Sequence, residues 1–370
     1  MRYDIGTLHL KALFLPTCRA GEALARLDER LTRSPIREGF CERQHFADAV
    51  ASLWIDGELV QLEDLVLHDA HMDIRTPTHE LIRAHDVFRA RRQIFSHPPG
   101  WALSPQGIVR LRGRGADDQV AAGVDGLLDP PDAANAIDED SDQADEFRTE
   151  LAAIDAVLAK SQAVLDGVVS ADSRRRADER DPLVYDADWN EDERLGEWRT
   201  VFGATEGLPP VLRAALLLDA WNQLQVLQHA PWLGRLLVAS LLRQESITTA
   251  HLLALNLGLR AIPRERRYAR DLPTRLLAFL EAVAQGADIG QKEHDRLLLA
   301  KTQMERRLVD RQANSKLPRL IELVVARPMV SSGMIARELD ITPQGAVNLA
   351  RQLSLREITG RKRYRAWGLV

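Results

Sequence analysis

Apolar residues recur three and four positions apart along most of the chain, the spacing that places them on one face of an α-helix. Proline and glycine cluster between these segments, where helices end. The pattern therefore predicts a mainly α-helical protein. Before the last domain, the predicted helices span residues 21–31, 42–53, 78–93, 146–168, 211–228, 233–243, 272–284 and 291–311.

The last 55 residues carry a different arrangement of short elements. Amphipathic helices are predicted at 317–326 and 331–339, with Ser331 or Ser332 placed to cap the second. A third helix follows a short turn, because Thr342 is a suitable cap and proline is favoured at the first helical position. This order of elements is typical of a helix-turn-helix.

Two predicted strands follow, at residues 355–358 and 364–369, around a turn that contains Gly360. The tip of this hairpin carries the consecutive cations Arg361, Lys362 and Arg363. A hairpin after the third helix is the wing of a winged helix-turn-helix, and cations at its tip suit contact with phosphates or with the minor groove.

The third helix has two distinct faces. One is apolar and is expected to pack inward; the other carries Gln344, Asn348 and Arg351. Glutamine and asparagine bind adenine, and arginine binds guanine, through paired hydrogen bonds in the major groove. The alternative is a winged helix that contacts protein, with its charges merely solvated. The candidate DNA-binding residues are Thr342, Gln344, Asn348, Arg351, Arg361, Lys362, Arg363 and Arg365.

Charge divides the chain into sections. The net charge is −5, yet residues 316–370 carry a net +6 and residues 117–146 a net −11 with no basic residue. A basic module on a neutral body is typical of nucleic-acid binding. An acidic stretch with few apolar residues predicts a flexible linker. The predicted sections are an N-terminal helical part at 1–112, the linker or insertion at 113–145, a helical core at 146–313 and the winged helix at 314–370.

Three segments, taken in order, resemble the Fic-fold family, whose active members transfer AMP from ATP to a protein hydroxyl. Ser52-Leu53-Trp54-Ile55-Asp56-Gly57 resembles that family's inhibitory-helix motif, with aspartate in place of glutamate. The run from Leu208 to Trp221 is similar to the helix before the Fic active site, and Gly234-Arg235 is similar to the start of the helix after it. The resemblance implies a helical Fic-like body for residues outside the linker and the winged helix.

The active-site loop departs from that family. Active members carry H-x-F-x-[DE]-G-N-G-R-x-x-R, whose histidine is the base and whose acidic residue holds magnesium. Here residues 226–235 lack the acidic residue, the Gly-Asn-Gly turn and the first arginine, and either Val226 or His229 falls near the histidine position. The resemblance therefore implies no catalytic residues, no nucleotide cofactor and no metal.

The same resemblance implies an ion pair. Arg235 matches the family's second arginine, and Asp56 replaces the acid that pairs with it. The pair would join the N-terminal helices to the core; the alternative is that both side chains are exposed. The degenerate motif then comprises Ser52, Asp56, Gly57, His229, Gly234 and Arg235.

Several classes of protein are excluded by what the sequence lacks. Two cysteines, Cys18 and Cys41, cannot form a disulfide framework or a zinc knuckle. His68 and His71 lie among acidic residues, but zinc needs three or four ligands at fixed spacing. No apolar run approaches the roughly 20 residues that span a bilayer, and no signal peptide is recognised. We expect a cytoplasmic protein without a membrane segment.

These observations predict a sequence-specific DNA-binding transcriptional regulator whose Fic-like body serves dimerisation or senses a signal. Its expected partners are double-stranded DNA, a second copy of the chain, and a small-molecule or protein signal. The alternatives are an adenylyltransferase-like enzyme with a remodelled loop and a protein-binding adaptor.

Overall fold

The computed structural model describes residues 3, 10–73, 76–112, 189–306, 308, 316–358 and 365–369. The chain divides into two compact units, one formed by Met1–Leu111 with Glu191–Val370 and the other by Arg112–Asn190. The predicted acidic linker at 113–145 and the predicted helix at 146–168 lie outside the described residues.

The prediction of a mainly helical fold is confirmed in the described part of the chain. A 3₁₀ turn at Trp101–Leu103 separates the fourth and fifth helices. The body helices are α1 (Leu10–Thr32), α2 (Arg37–Ile55), α3 (Leu62–Asp69), α4 (His79–Ser96), α5 (Pro105–Leu111), α6 (Glu191–Ala204), α7 (Pro210–Leu224), α8 (Trp232–Gln244), α9 (Leu255–Ala261), α10 (Arg264–Arg267) and α11 (Leu272–Arg306).

The centre of the core is the helix pair α7 and α8, which are apolar and buried along nearly their whole length. The two helices approach closely at Gly234, where a Cβ atom would lie 2.3 Å from Cδ1 of Trp221. The Trp221 ring in turn meets Trp198 of α6 edge to face, with ring centroids 5.4 Å apart. Gly234 therefore makes room for the indole ring at the middle of the body.

The prediction of two helices at 272–284 and 291–311 is wrong, because Leu272–Arg306 forms one continuous helix. The glycines that suggested an interruption are sites of close packing instead. A Cβ atom on Gly290 would lie 2.7 Å from Cδ2 of Leu27 in α1, and one on Gly286 would lie 3.2 Å from the Ala254 carbonyl oxygen. Glycine here lets neighbouring backbone and side chains approach α11 directly.

Other helix boundaries also differ from the prediction. Helix α1 begins at Leu10 rather than at residue 21 and contains Pro16 in its interior. Helix α7 ends at Leu224 rather than at residue 228, because Gln225 adopts a left-handed conformation with φ of 48° and donates its amide to the Trp221 carbonyl oxygen.

A buried polar network joins α2, α4 and the segment leading into α9. The Asp48 carboxylate accepts hydrogen bonds from the Asn256 amide and side chain, both at 2.8 Å, and from Arg91. Arg91 also donates to the carbonyl oxygens of Leu252 and Leu253. Asp48 and Arg91 are fully buried, so each charge depends on these partners.

The C-terminal elements form a helix-turn-helix with a three-stranded sheet. The sheet has the order β1-β3-β2 with antiparallel neighbours, and Trp367 of the central strand is opposite both Val330 and Glu357. Strand β1 was not predicted from the sequence. The elements are α12 (Leu317–Ala326), β1 (Val330–Ser331), α13 (Ser332–Leu339), α14 (Pro343–Gln352), β2 (Arg356–Glu357) and β3 (Ala366–Gly368).

This domain packs against α2 of the body. A Cβ atom on Gly39 would lie 2.9 Å from Val325 of α12, so the two helices touch at backbone distance. Arg43 of α2 donates to the carbonyl oxygens of Val324 at 3.2 Å and Arg327 at 2.7 Å. Helix α2 therefore holds α12, the first helix of this domain, by both packing and hydrogen bonds.

Candidate DNA-binding site

The turn between α13 and α14 depends on one strained residue and one lysine. Asp340 adopts a left-handed conformation with φ of 49°, and the Ile341 amide donates back to the Ala336 carbonyl oxygen at 3.0 Å. Nζ of Lys316 donates to the carbonyl oxygens of Leu339 and Asp340, at 2.6 and 2.8 Å. The lysine thus satisfies carbonyl groups that the end of α13 leaves open.

Both predicted helix caps are confirmed. The Ser331 hydroxyl oxygen accepts from the Met334 amide at 3.2 Å, and the Thr342 hydroxyl oxygen accepts from the Gly345 amide at 3.1 Å. Each cap satisfies one amide of a helix start, and a proline follows Thr342 at the first helical position. The N-terminus of α14 is therefore fixed at the surface of the domain.

Helix α14 presents the three polar candidates to solvent. Gln344, Asn348 and Arg351 are exposed, whereas Ala346 and Ala350 of the same helix are buried. Within the described residues, none of the three exposed side chains forms a hydrogen bond or ion pair. Their donors and acceptors are available to a ligand outside the domain.

The wing is described only at its base. Arg361, Lys362 and Arg363 lie outside the described residues. Arg365 is half-buried, with Nε 3.8 Å from the Glu357 carboxylate. Arg356, on β2, is exposed and was missed as a candidate, although its place in the predicted strand 355–358 beside the basic tip was a usable signal.

Besides Arg365, four of the basic residues that the structure describes between 316 and 370 have structural partners. Arg319 donates to the Glu338 carbonyl oxygen, and Arg337 donates to the Ala70 carbonyl oxygen of the body. Arg327 binds Asp69 at 2.6 Å, and Lys316 closes the end of α13. Positive charge in this domain is therefore divided between internal contacts and the surface around α14 and the wing.

The structure also brings together three residues of the segments that resemble the Fic-fold family. Arg235 binds Asp56 through two parallel hydrogen bonds, Nη1 to Oδ1 at 3.0 Å and Nη2 to Oδ2 at 2.8 Å. Nη2 also donates to the Ser52 hydroxyl oxygen at 2.8 Å. The two charged side chains are only 7% and 12% exposed, which makes this a nearly buried, bidentate ion pair.

Gly57 places the Asp56 carboxylate at the end of α2. Its φ of 89° lies in the left-handed region that favours glycine, and the Glu58 amide then donates to the Leu53 carbonyl oxygen at 2.9 Å. Helix α2 ends there, with Asp56 in the capping position.

The other motif positions lie between α7 and α8 or at the start of α8. Val226 is fully buried and His229 is exposed, so only His229 is open to solvent. Gly234 makes room for Trp221 rather than for a phosphate. The structure thus places an arginine-aspartate pair, and not a phosphate-binding turn, at this end of α8.

Aromatic and arginine side chains form a patch beside this ion pair. The guanidinium groups of Arg260 and Arg267 lie 5.3 and 5.8 Å from the centroid of the Trp54 ring. Burial lowers the pKa of Arg267, and the charge of Arg235 lowers it further. The short helix α10 contains the basic residues around Arg264.

His68, one of the two histidines that lie among acidic residues in the sequence, packs against His85. The rings of His68 and His85 lie 4.7 Å apart edge to face, and Nδ1 of His68 is 3.0 Å from the Asp73 carboxylate. Within the described ranges, no group of three or more His, Cys, Asp or Glu side chains is arranged to hold a metal ion. No helix in the described part of the chain is long and apolar enough to cross a membrane.

Comparison with known families finds two separate matches along the chain. Residues 317–370 match a family described as a helix-turn-helix DNA-binding domain. Residues 183–309 match a family described as a protein of unknown function, DUF1612. The chain therefore carries a DUF1612 segment in its body and a C-terminal helix-turn-helix domain of a kind described as DNA-binding. Neither match tests the resemblance to the Fic-fold family, which stays a prediction.

One relative matches along the whole chain. The "Uncharacterized protein y4cF" of Sinorhizobium fredii (strain NBRC 101917 / NGR234) is 53% identical over 383 residues, an alignment that covers 100% of both chains. The chain belongs to the family of this relative.

Proposed function

We propose that the protein is a sequence-specific regulator of transcription that binds double-stranded DNA in the cytoplasm. The observation that carries this proposal is the exposed face of α14, where Gln344, Asn348 and Arg351 have no partner among the described residues. The second helix of a helix-turn-helix enters the major groove, and this is the helix that carries them.

The chemistry of the face fits base readout. Asn348 and Gln344 can each accept from and donate to the edge of an adenine, and Arg351 can donate to both acceptors of a guanine. Thr342, at the helix start, and the cations Arg361, Lys362, Arg363 and Arg365 would contact phosphates or the minor groove. Arg356 joins this set because it is exposed on the adjoining strand.

We propose that two copies bind together. One short winged domain reads few base pairs, and two half-sites in register supply the affinity and specificity that a single domain lacks. Helix α1 offers an apolar surface for the contact, because Leu10, Phe14 and Leu15 are 54%, 71% and 53% exposed. The test is the mass of the protein in solution, measured by light scattering, before and after Phe14→Glu.

We further propose that the body is a catalytically inactive Fic-like body. Support comes from the Ser52, Asp56 and Arg235 contacts, because the resemblance implied this pair between segments far apart in the chain. The segment between α7 and α8 contains no acidic residue to hold magnesium. The body would then serve to assemble copies of the protein or to sense a signal.

The experiment that tests DNA binding is selection of duplexes from a random library, with the full chain immobilised. The expected result is enrichment of one motif, arranged as two related half-sites about one helical turn apart. Enrichment of no motif, together with no binding to any duplex at low salt, would favour an adaptor that contacts protein.

A further inference from the structure

A cavity of about 270 Å³ lies where α2 begins, beside the ends of α4 and α8. This volume is that of about nine water molecules, enough for a small metabolite but not for a nucleotide or a peptide. The cavity is separate from both the exposed face of α14 and the ion pair of Asp56. Its lining residues are Arg37, Glu38, Cys41, Phe95, Arg243, Thr249 and Ala250.

Arg243 supplies a buried positive charge to this cavity. Its side chain is 9% exposed, and its Nη1 donates to the Ile94 carbonyl oxygen at 2.9 Å. Nε is buried without a hydrogen-bond partner, and Arg243 forms no ion pair with any described carboxylate. Burial lowers the pKa of Arg243, yet a guanidinium stays protonated at neutral pH. A buried cation without an anion is unfavourable, so an anionic ligand would stabilise it.

The nearby carboxylate of Asp28 has hydrogen-bond partners other than Arg243. It accepts hydrogen bonds from the Thr249 amide, the Thr249 hydroxyl and the Ala250 amide at 2.7–2.8 Å, and it lies 3.0 Å from Nδ1 of His251. These contacts hold the loop that forms one wall of the cavity. They leave Arg243 without an acidic partner inside the body.

The other lining groups keep the cavity positive. Arg37 is exposed at the rim and, among the described residues, forms no side-chain hydrogen bond or ion pair. Among the described residues that line the cavity, Glu38 is the only acidic one, and it is exposed. Burial raises the pKa of the Cys41 thiol to about 12, so Cys41 is neutral at pH 7. Two cations therefore face one carboxylate.

We propose that this cavity binds a small anion through a carboxylate or phosphate group. The Nε and Nη2 edge of Arg243, which has no partner in the described residues, is the fork that binds such groups with two parallel hydrogen bonds. Arg37 would close over the same group from the rim. The Phe95 ring, whose centroid lies 5.0 Å from the Arg243 guanidinium carbon, forms an apolar wall for the rest of the ligand.

The position of the cavity also connects it to the DNA-binding domain, and this second half of the proposal rests on the proposed function. Arg37, Glu38 and Cys41 of α2 line the cavity, while Gly39 and Arg43 of the same two turns contact α12. A ligand that draws the start of α2 toward Arg243 moves the surface on which the helix-turn-helix rests. We therefore expect occupancy to change DNA affinity, which is a coupling between two distinct sites.

Calorimetric titration of the full chain tests binding directly. The probes are inorganic phosphate, glycerol phosphate and succinate, each at constant ionic strength with chloride as the reference anion. Saturable binding of phosphates alone, or of succinate alone, supports the proposal and identifies the group. Absence of saturable binding for all three probes would overturn it.

Variants distinguish anion binding in the cavity from a general effect of surface charge on anion binding. Arg37→Ala changes an exposed residue and should weaken binding about tenfold, and Arg243→Met should abolish it. Arg26→Ala is the matched control, because Arg26 is a surface residue paired with Glu22 and lines no part of the cavity. Equal affinities for the wild type, Arg37→Ala and Arg26→Ala would contradict the proposal even if Arg243→Met does not fold.

The coupling is measured on a duplex that the protein binds, with and without the anion that titrates. A change of about fivefold or more in DNA affinity is expected for the wild type and not for Arg37→Ala at the same anion concentration. An unchanged affinity at saturating anion would contradict the coupling but not the cavity. Failure to bind any duplex would contradict the proposed function, while the calorimetric result would still decide the cavity.

Discussion

Individual arginines of the chain differ in what their guanidinium groups contact, and burial separates them. Arg91 and Arg235 are buried and bind carboxylates, whereas Arg351 is exposed without a partner in the described part of the chain. The sequence contains 43 arginines against 6 lysines, so residue type alone says little about role. Its position on the polar face of an amphipathic helix predicted a DNA contact for Arg351. The resemblance to the Fic-fold family predicted an ion pair for Arg235. Nothing in the sequence indicated that Arg327 would bind Asp69 of the body.

The first prediction concerns the Asp56 and Arg235 pair. Asp56→Ala leaves the Arg235 guanidinium nearly buried with only Ser52 as a partner, so the free energy of unfolding should fall by about 3 kcal/mol. Urea denaturation followed by circular dichroism measures this loss. The matched control is Glu22→Ala, which breaks an exposed pair and should change stability little. Equal losses for the two variants would show that the pair is not buried in solution.

A second prediction concerns pH. Burial raises the pKa of Asp69, but hydrogen bonds from His85 and Arg327 and the charges of Arg92 and Arg327 outweigh it and lower the pKa to about 2. Because the folded pKa lies below the ordinary value of 3.8, the carboxylate stabilises the fold above that pH and loses this effect as pH falls toward 2. The stability difference between the wild type and Asp69→Asn should therefore be constant from pH 7 to 5 and shrink from pH 4 to 2. A difference that grows on acidification would contradict the assignment.

At the scale of helices, glycines decide how closely the body packs. A Cβ atom on Gly258 of α9 would lie 1.9 Å from the Ala282 carbonyl oxygen of α11, whereas a Cβ atom on Gly196 of α6 would meet nothing within 4 Å. Both residues are helical glycines with negative φ, so their backbones tolerate alanine. The two positions therefore differ in surroundings rather than in conformation.

The third prediction compares alanine substitutions at Gly258 and Gly196. Gly258→Ala must push α9 away from α11, and its free energy of unfolding should fall by about 2 kcal/mol or more. Gly196→Ala should raise it by about 0.5–1 kcal/mol, because alanine is the better helix former. Parallel urea titrations measure both. A loss for Gly196→Ala, or a gain for Gly258→Ala, would show that the helices do not meet as described.

Close packing at glycines also limited how much of the fold could be predicted from the sequence. Helices with a clear apolar stripe, such as α12 and α14, were placed from periodicity and caps alone. Helix α11 was divided in two because a sequence does not show that Gly286 and Gly290 face α9 and α1. Strand β1 has two residues, too few for any periodic signal, and exists because it pairs with β3. The extent of α11 and the existence of β1 therefore depend on contacts between residues that are distant in sequence.

The candidate DNA-binding site could be predicted from the sequence only in part. The exposed face of α14 follows from its amphipathic pattern, because the residues opposite Ala346 and Ala350 must point outward. The division of basic residues between surface and internal contacts does not follow, since Arg319 and Arg337 find carbonyl partners only in the folded chain. The cavity at Arg243 had no sequence signal, because its walls come from three separated segments.

At the scale of the whole molecule, the body and the DNA-binding domain meet at α2. The cavity, the Asp56 and Arg235 pair and the contact with α12 all involve this one helix. A helix with three such contacts is suited to carry a change in the body to the DNA-binding domain. The proposed function accordingly assigns the body a regulatory role.

The fourth prediction tests the absence of enzyme activity. The segment from Val226 to Arg235 lacks an acidic residue for magnesium and a glycine turn for phosphates, so the protein should not transfer AMP to itself or to proteins of a lysate. Incubation with labelled ATP and magnesium, followed by gel autoradiography, measures the transfer. Labelling that disappears in His229→Ala would contradict an inactive body and support the adenylyltransferase alternative.

The last prediction separates base readout from phosphate contact in the C-terminal domain. Arg351→Ala should cost about 1–3 kcal/mol of affinity at the selected duplex and relax the preference at one base pair, because a guanidinium on α14 donates to a guanine. Arg361→Ala and Arg363→Ala should weaken binding to all duplexes alike and reduce the salt slope by about one for each lost contact. Arg26→Ala, far from this domain in sequence and on the surface, should change neither quantity.

The most direct test is the affinity of the wild type and Arg351→Ala for matched and singly mismatched duplexes at several salt concentrations. Sequence-specific DNA binding through α14 predicts that the wild type discriminates against one mismatch about tenfold or more and that Arg351→Ala loses this discrimination. Equal discrimination in both proteins, or no binding of either to any duplex, would contradict it.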